Sequence, residues 1–413
     1  MMTEGRITTA KGRVAVMEGS QAIAQAVKAC RPAVISAYPI TPQTHIVETL
    51  AGMAARGELD ADYVRADSEF SAASILAGAS ATGVRTYTAS ASQGLMLMTE
   101  VIYYLAGTRL PVVFTGANRQ ITAPIGLQPD HQDTMSLRDS GIIQLYVESV
   151  QEAYDTHIQA FRIAEDHDVL LPAMVCVDGF VLTHVFEPVE IFDQPAVDAF
   201  LPPYEPVHYL SPDRPMVFGS FTDETNTLEA RYITQQAALR AAARVEDAAR
   251  AYQTQFGHFH GGLVDAYRCD DAEIVLVAMG SVIGTLREAA DRLRAGGISA
   301  GVLKVRCFRP FPAQQVREAL GGARAVAVLD RSLSFGAAGV LATDVKAALY
   351  DSPEGRRPLV LGMLAGYGGR EVTVDTARKI VDEARRALGA GRPPSCAASF
   401  VGLRRELLPE ERT

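Results

Sequence analysis

AVISAYPITP, residues 33–42, carries two signals in one short stretch: an apolar run from Ala33 to Tyr38 and a Pro-punctuated turn, Pro39-Ile40-Thr41-Pro42. An apolar run of this length, bounded by a turn, reads as a buried strand. Pro42–Arg56 then spaces Ile46, Leu50 and Met53 at helical intervals, so strand passes directly into helix. The same alternation continues to about residue 180. Tyr63–Arg65 is extended, and Ser68–Thr82 is an Ala-rich helix stopped at Gly83. Val84–Thr88 and Pro111–Thr115 are strands around a helix at Gly94–Ala106, and Ile142–Val147 and Leu170–Val177 are strands around one at Gln151–Glu165. This spacing implies right-handed crossovers and a parallel sheet covered on both faces.

From 186 to about 268 the rhythm breaks. Seven prolines between Pro188 and Pro215 punctuate an extended arm, and Asn226–Tyr252 is a long Ala/Arg/Glu-rich helix. A second alternation begins at Glu273. Strands are expected at Ile274–Met279, Val302–Val305, Ala325–Leu329 and Leu359–Leu364, with helices at Thr285–Ala295, Ala313–Leu320, Val340–Tyr350 and Thr376–Leu388, the last capped by Asp375. The expectation is an α/β protein of two parallel-sheet domains, residues 1–255 with an arm at about 186–255, and residues 256–413.

Composition removes several function classes. In 413 residues, 39 basic against 48 acidic side chains give a net charge of -9, which argues against a nucleic-acid footprint. There is no apolar run long enough for a membrane span, and no signal-peptide core near the N-terminus. A cytoplasmic protein is expected. Cys30, Cys176, Cys269, Cys307 and Cys396 are dispersed, without the ligand spacing of a zinc site or an iron–sulfur cluster.

Ligands of open parallel sheets sit beyond the carboxyl ends of the strands. There, Thr41 reads either as an N-cap with Pro42 in the first helical position, or as a hydroxyl holding an anionic substrate. Asp67-Ser68-Glu69 reads as capping, or as a carboxylate at the lip of the sheet. Ser90–Gly94 is similar to a phosphate-cradling turn, although neither GxGxxG nor GxxxxGK[ST] is present. Arg119 opens a polar loop ending in Asp130-His131-Gln132-Asp133, read as hydrogen-bonded rather than metal-binding, and His258-Phe259-His260 reads as a linker feature. From these residues alone three readings stay open: a subunit whose cofactor is held mainly by another chain, a self-sufficient transferase, or a non-catalytic binding module.

The order Tyr38–Pro42, Ser68-Glu69, Thr88–Gly94, Ala117–Arg119 and Asp130–Asp133 closely resembles the alpha subunit of the 2-oxoacid:ferredoxin oxidoreductases, pyruvate type. The likeness continues at Leu171–Ala173, Asp178–Phe180, Glu187–Val189, Ala278–Ser281, Arg309–Pro312, Leu329–Arg331 and Gly366–Arg370.

That resemblance implies a thiamine-diphosphate pyrimidine-type domain followed by a transketolase C-terminal-like domain. Glu69 would support the imino tautomer of the aminopyrimidine by sharing a proton with its ring. Thr41, Asn118 and Arg119 would bind the 2-oxoacid, and Ser92, Gln93 and Gly94 the cofactor; no metal ligand is expected on this chain. A beta subunit would hold the diphosphate and its Mg2+. A gamma subunit would handle coenzyme A, expected as a separate chain because this one ends soon after its second domain. A ferredoxin-like delta subunit and the beta subunit would carry [4Fe-4S] clusters. The reaction implied is oxidative decarboxylation of a 2-oxoacid, with pyruvate the first choice, to acyl-CoA and CO2, the electrons passing to ferredoxin or to an NAD-reducing subunit. Phe70 stands where the family commonly has His, and Gly126–Pro129 lacks the aromatic residue frequent in pyruvate-type members. Both departures point to phenylglyoxylate or a branched-chain acid as alternative substrates, with Phe70 and Leu127 beside the variable group. A degenerate scaffold subunit is the non-enzymatic alternative.

Overall fold

The computed structural model describes residues 10–352, 357–392 and 398–408; Cys396 and residues 1–9 of the N-terminal stretch lie outside them. The chain divides into two compact units, residues 1–263 with 306–312, and residues 264–305 with 313–413.

Its elements begin β1 (Arg13–Glu18), α1 (Gly19–Ala29), β2 (Val34–Ala37), α2 (Thr44–Ala55), β3 (Asp62–Arg65), α3 (Glu69–Ala81) and β4 (Thr86–Ser90). Next come α4 (Ser92–Leu97), α5 (Thr99–Thr108), β5 (Val113–Asn118), α6 (Gln132–Met135), β6 (Ile143–Tyr146), α7 (Val150–Ala164) and β7 (Ala173–Asp178). The excursion contains β8 (Phe186–Ile191), α8 (Gln194–Phe200) and α9 (Thr227–Phe256). The remainder is β9 (Val264–Tyr267), β10 (Ile274–Ala278), α10 (Val282–Ala295), β11 (Ala300–Val305), β12 (Cys307–Arg309), α11 (Ala313–Leu320), β13 (Ala325–Asp330), α12 (Val340–Tyr350), β14 (Leu359–Leu364), α13 (Val374–Ala390) and β15 (Ser399–Phe400).

In the first unit the sheet order is β12-β6-β7-β5-β4-β2-β3, parallel except for β12, which runs antiparallel to β6. Parallel strands joined by crossover helices put apolar surface on both faces, as the alternation predicted. Ile23 and Val27 of α1, Ile46 and Leu50 of α2, and Ile158 and Phe161 of α7 share one core with strand residues Ile35, Val113 and Val175. Ala237, Ala241, Val245, Tyr252 and Phe256 of α9 belong to that core too, so the long helix is part of the first unit rather than a bare connector.

Three local expectations are corrected. The excursion is not wholly extended: it contains the helix α8 (Gln194–Phe200), and its β8 is not free but pairs antiparallel with β1 from Arg13↔Ile191 to Glu18↔Phe186. The cap of α13 is Thr373, which exchanges bonds with Thr376 in a capping box, and Asp375 lies in the first turn. The boundary expected after residue 255 falls after Leu263, and Arg306–Pro312 returns to the first unit. Arg306 explains the return. Fully buried, it donates from Nε to Glu152 Oε1 (3.1 Å) and from Nη2 to Thr156 Oγ1 (3.0 Å) and Gln159 Oε1 (2.9 Å), all on α7.

In the second unit the order is β15-β14-β13-β10-β11-β9, with β9 the antiparallel edge. Ile274, Leu276, Ala325 and Ala327 of its strands pack with Ile283 and Leu286 of α10 and Ile380 and Val381 of α13. No helix among the described residues is long and apolar enough to cross a membrane.

Candidate functional site

The carboxyl ends of β2, β4, β5 and β7 are neighbours in the first sheet, and the sequence places polar residues there. Their organiser is Asp133, fully buried on α6. Its carboxylate accepts from the backbone of Ser92 (2.9 Å), Arg119 (3.0 Å) and Thr134 (2.8 Å) and from Asn118 Nδ2 (2.8 Å). One side chain thereby fixes the turn after β4, the end of β5 and the start of α6. Burial raises the Asp133 pKa to about 6, the four donors opposing the rise.

Arg119, 6 % exposed, donates from Nε to Gly126 O (2.8 Å) and from Nη1 to Thr41 O (3.1 Å). Two of its five N–H groups are thus spent on aiming it, and Nη2 has no partner among the described residues. Burial holds the guanidinium below its ordinary pKa, Asp133 acting against it. Thr41 is exposed and contributes its carbonyl. It is not an N-cap: α2 begins at Thr44 behind Gln43, whose Nε2 bonds Tyr38 O at 2.8 Å.

Glu69 opens α3 behind Ser68, the true cap, whose Oγ accepts from Ser71 N at 3.1 Å. Glu69 as a whole is 7 % exposed, and its carboxylate receives no hydrogen bond among the described residues. Gly94 makes room for it, since a Cβ there would stand 2.6 Å from Glu69 Oε1 and collide with Ser90 Oγ. Ser92, at φ +51, donates from Oγ to Gln120 O (2.6 Å) and lies hydrogen-bonded to Gln93 Oε1. Ser90 Oγ, Thr88 Oγ1, Ser36 Oγ and Asn118 Oδ1 are buried without a partner among the described residues. Such atoms are rare in folded chains, and these four lie on the neighbouring strands β2, β4 and β5.

The expected residues therefore form two linked groups. Thr41, Arg119 and the 126 carbonyl touch directly; Asn118, Ser92 and Arg119 meet through Asp133; Glu69 and Gly94 are in contact, and α4 joins both groups. Asn118 turns its amide nitrogen toward Asp133 and Thr134 Oγ1 (2.8 Å each), and its Oδ1 has no partner among the described residues. Phe70 and Leu127 are not brought together. Leu127 is 45 % exposed in the loop after Arg119, whereas Phe70 lines a groove with Ser74, Tyr104, Leu210, Met216 and Val217, formed by α3, α5 and the arm. Asp133 is the residue whose role sequence reasoning left undecided, and its signal was the placement of an acid just past a polar loop. His131 bonds Asp178 Oδ1 at 3.0 Å, in keeping with a hydrogen-bonded loop.

Comparison with known proteins adds a frame to this geometry. A family model described as pyruvate flavodoxin/ferredoxin oxidoreductase, thiamine diP-binding, matches residues 25–250, and one described as pyruvate:ferredoxin oxidoreductase core domain II matches 272–386. The chain is 48 % identical to pyruvate synthase subunit PorA of Methanosarcina barkeri over 381 residues, covering 92 % of this chain and 94 % of that one. It is 39 % identical to ketoisovalerate oxidoreductase subunit VorA of Pyrococcus abyssi, covering 88 % and 91 %. Its fold is similar to that of the 2-oxoglutarate:ferredoxin oxidoreductase of Magnetococcus marinus, with a TM-score of 0.67 at 19 % identity over 91 % of this chain and 65 % of that one.

Proposed function

Since the chain belongs to the pyruvate flavodoxin/ferredoxin oxidoreductase family, we propose that its first unit holds the aminopyrimidine of thiamine diphosphate at Glu69 and the carboxylate of a 2-oxoacid at Arg119. The chain is an oxidoreductase subunit that acts within a multi-subunit complex. Its reaction is the oxidative decarboxylation of pyruvate to acyl-CoA and CO2, and the higher identity to the pyruvate synthase subunit than to the ketoisovalerate one supports pyruvate over a branched-chain acid.

The observation that carries the reading is Glu69, which sits against Gly94 beyond the strand ends with its carboxylate receiving no hydrogen bond among the described residues. A carboxylate with its acceptor sites open can take a hydrogen bond from a bound group, and a protonated ring nitrogen supplies one. When bound, thiamine diphosphate provides the carbon nucleophile and the electron sink. Glu69 holds and returns the ring proton. Arg119 offers its remaining N–H groups to the substrate carboxylate, with Thr41 beside it and Asp133 keeping the Arg119 backbone and the Ser92–Gly94 turn in register. Ser92, Gln93 and Gly94 border the cofactor.

The partners we assign are a beta subunit carrying the diphosphate and Mg2+, a gamma subunit for coenzyme A, and a ferredoxin-like delta subunit, with ferredoxin the acceptor and the cytoplasm the setting. Two features support this division. The diphosphate-binding GDG…N pattern is absent from the sequence, and no described cysteine joins a metal-ligand cluster.

Glu69→Gln tests the reading in the assembled complex. Pyruvate oxidation should fall by about 10²–10⁴-fold, with subunit assembly intact. Near-normal turnover would reduce Glu69 to a helix-start residue.

A further inference from the structure

Away from this site, Asp155 on α7 meets two histidines that lie just past the C-terminus of α9. His258 Nδ1 is 2.9 Å and His260 Nε2 2.6 Å from the same atom, Asp155 Oδ2. These three ligand atoms all lie within 4.8 Å of one another, and Asp155 is fully buried. We propose that Asp155, His258 and His260 bind a zinc-type divalent ion, which staples the segment leaving α9 to α7.

Two of the three ligands, Asp155 and His258, are already oriented by a further contact, as metal ligands are. Asp155 Oδ1 accepts from Tyr252 OH (2.7 Å) and Gln151 Nε2 (3.1 Å), which leaves Oδ2 to face the imidazoles. His258 Nε2 lies 3.1 Å from Glu190 Oε2, so Nδ1 is the ligating atom and Nε2–H the donor to a carboxylate. Two neutral imidazoles and one carboxylate suit zinc-class ions better than Ca2+ or Mg2+, which prefer oxygen. Bonds of about 2.0–2.2 Å would place tetrahedral ligands roughly 3.4 Å apart, slightly wider than here. The histidines can open by that amount: their side chains are 22 % and 19 % exposed, and the segment runs between Gly257 and Gly261, both at positive φ. Their exposed side leaves the fourth position to water.

The sequence alone read His258-Phe259-His260 as a linker feature because the third ligand is about a hundred residues earlier. A simpler account makes the histidines counter-charges to Asp155. The two accounts differ in metal uptake.

The test uses the tag-free full chain, stripped with EDTA, dialysed against Zn2+ and assayed for bound metal. One tightly held Zn2+ per chain is expected, and its removal should lower the thermal midpoint. His258→Asn with His260→Asn should weaken Zn2+ binding at least 100-fold, with circular dichroism unchanged. Glu190→Gln, which leaves all three ligands in place, should weaken it about 10–100-fold. His45→Asn, in the separate Glu18–His45–His184 group, should have no effect. Absence of bound Zn2+ in the unaltered chain, undiminished binding in the double variant, or loss of binding in His45→Asn would each overturn the proposal.

Discussion

The two sheets share an architecture and differ in what they bury. β4 (TYTAS) and β5 (VFTGAN) of the first unit are buried throughout, as are β10 (IVLVA) and β13 (AVAVLD) of the second. The first pair carries hydroxyls and an amide into the interior, where oxygens of Thr88, Ser90 and Asn118 have no hydrogen-bond partner among the described residues. The second pair is apolar until Asp330, whose carboxylate is consumed locally by Leu341 N (2.8 Å) and Ala342 N (2.9 Å) at the start of α12. Asp133 and Asp330 make the contrast sharp. Burial raises the pKa of both, to about 6 and about 7, yet Asp133 draws donors from three segments and Asp330 from one helix. The first sheet brings unspent polar groups and a multi-segment carboxylate to its strand ends, whereas the Asp330 carboxylate of the second is spent on one helix start.

The largest test of this contrast is Asp133→Asn beside Asp330→Asn. In Asp133→Asn the new amide would meet N–H groups with an NH2, losing at least one charge-assisted bond of about 1.5–3 kcal/mol. kcat/KM of the assembled complex should drop about 100-fold, measured below both melting points. Asp330→Asn should lower the melting point and leave kcat/KM unchanged. Equal loss of activity in both variants would erase the distinction.

Next comes pH. His157 is fully buried, its ring fixed between Thr115 Oγ1 and Ala153 O, both at 2.6 Å, and burial lowers its pKa to about 4. Its stabilising contribution is intact above the unfolded value of about 6.5. It is lost as pH falls toward 4, because the unfolded chain binds a proton the folded one refuses; the span is on the order of 3 kcal/mol. Denaturant titrations from pH 7 to 4.5 should show this slope in the first unit, and His157→Asn should flatten it. An unchanged slope would remove His157 as its source.

Arg119→Lys is a smaller perturbation. The charge stays, but the planar fork that reaches Gly126 O and Thr41 O is lost, so KM should rise about tenfold for pyruvate and for 2-oxoisovalerate alike. A rise confined to one acid would move Arg119 to the variable end of the pocket. The smallest effect belongs to Phe70→His. Because Phe70 lines the groove with the arm, preference between the two acids should shift less than about twofold, the scale of an ordinary surface change. A larger shift would return Phe70 to the pocket that the sequence alone suggested.

Much of the fold could be read because its determinants are local. Ile46, Leu50 and Met53 mark α2 by spacing, and Ala313–Leu320 and Val340–Tyr350 coincide with α11 and α12. What could not be read depends on partners far along the chain. β1 is specified by β8 more than 160 residues later, and β12 by its place beside β6. Asp133 became an organiser only when folding brought Ser92 and Asn118 to it, and Asp155 met His258 the same way. Asp375 misled for a different reason: Thr373, two residues earlier, has equal cap chemistry and takes the role. At α2 the helix starts at Thr44 behind Gln43, which makes no side-chain cap bond, so the capping reading of Thr41 falls away.

The return of Arg306–Pro312 to the first unit has a consequence for synthesis. A ribosome that has released residues 1–263 has made a sheet whose β6 edge is open and whose Glu152 faces a buried space without its cation. Removing one partner of such a buried pair costs about 3–5 kcal/mol. The N-terminal unit therefore reaches its final state only after β9 to β11 of its neighbour have also emerged. A gene cut at residue 263 would yield a piece that awaits its last strand, and a cut after Pro312 would instead part β10 from β13 of the second unit, so neither point divides the chain into two self-sufficient halves.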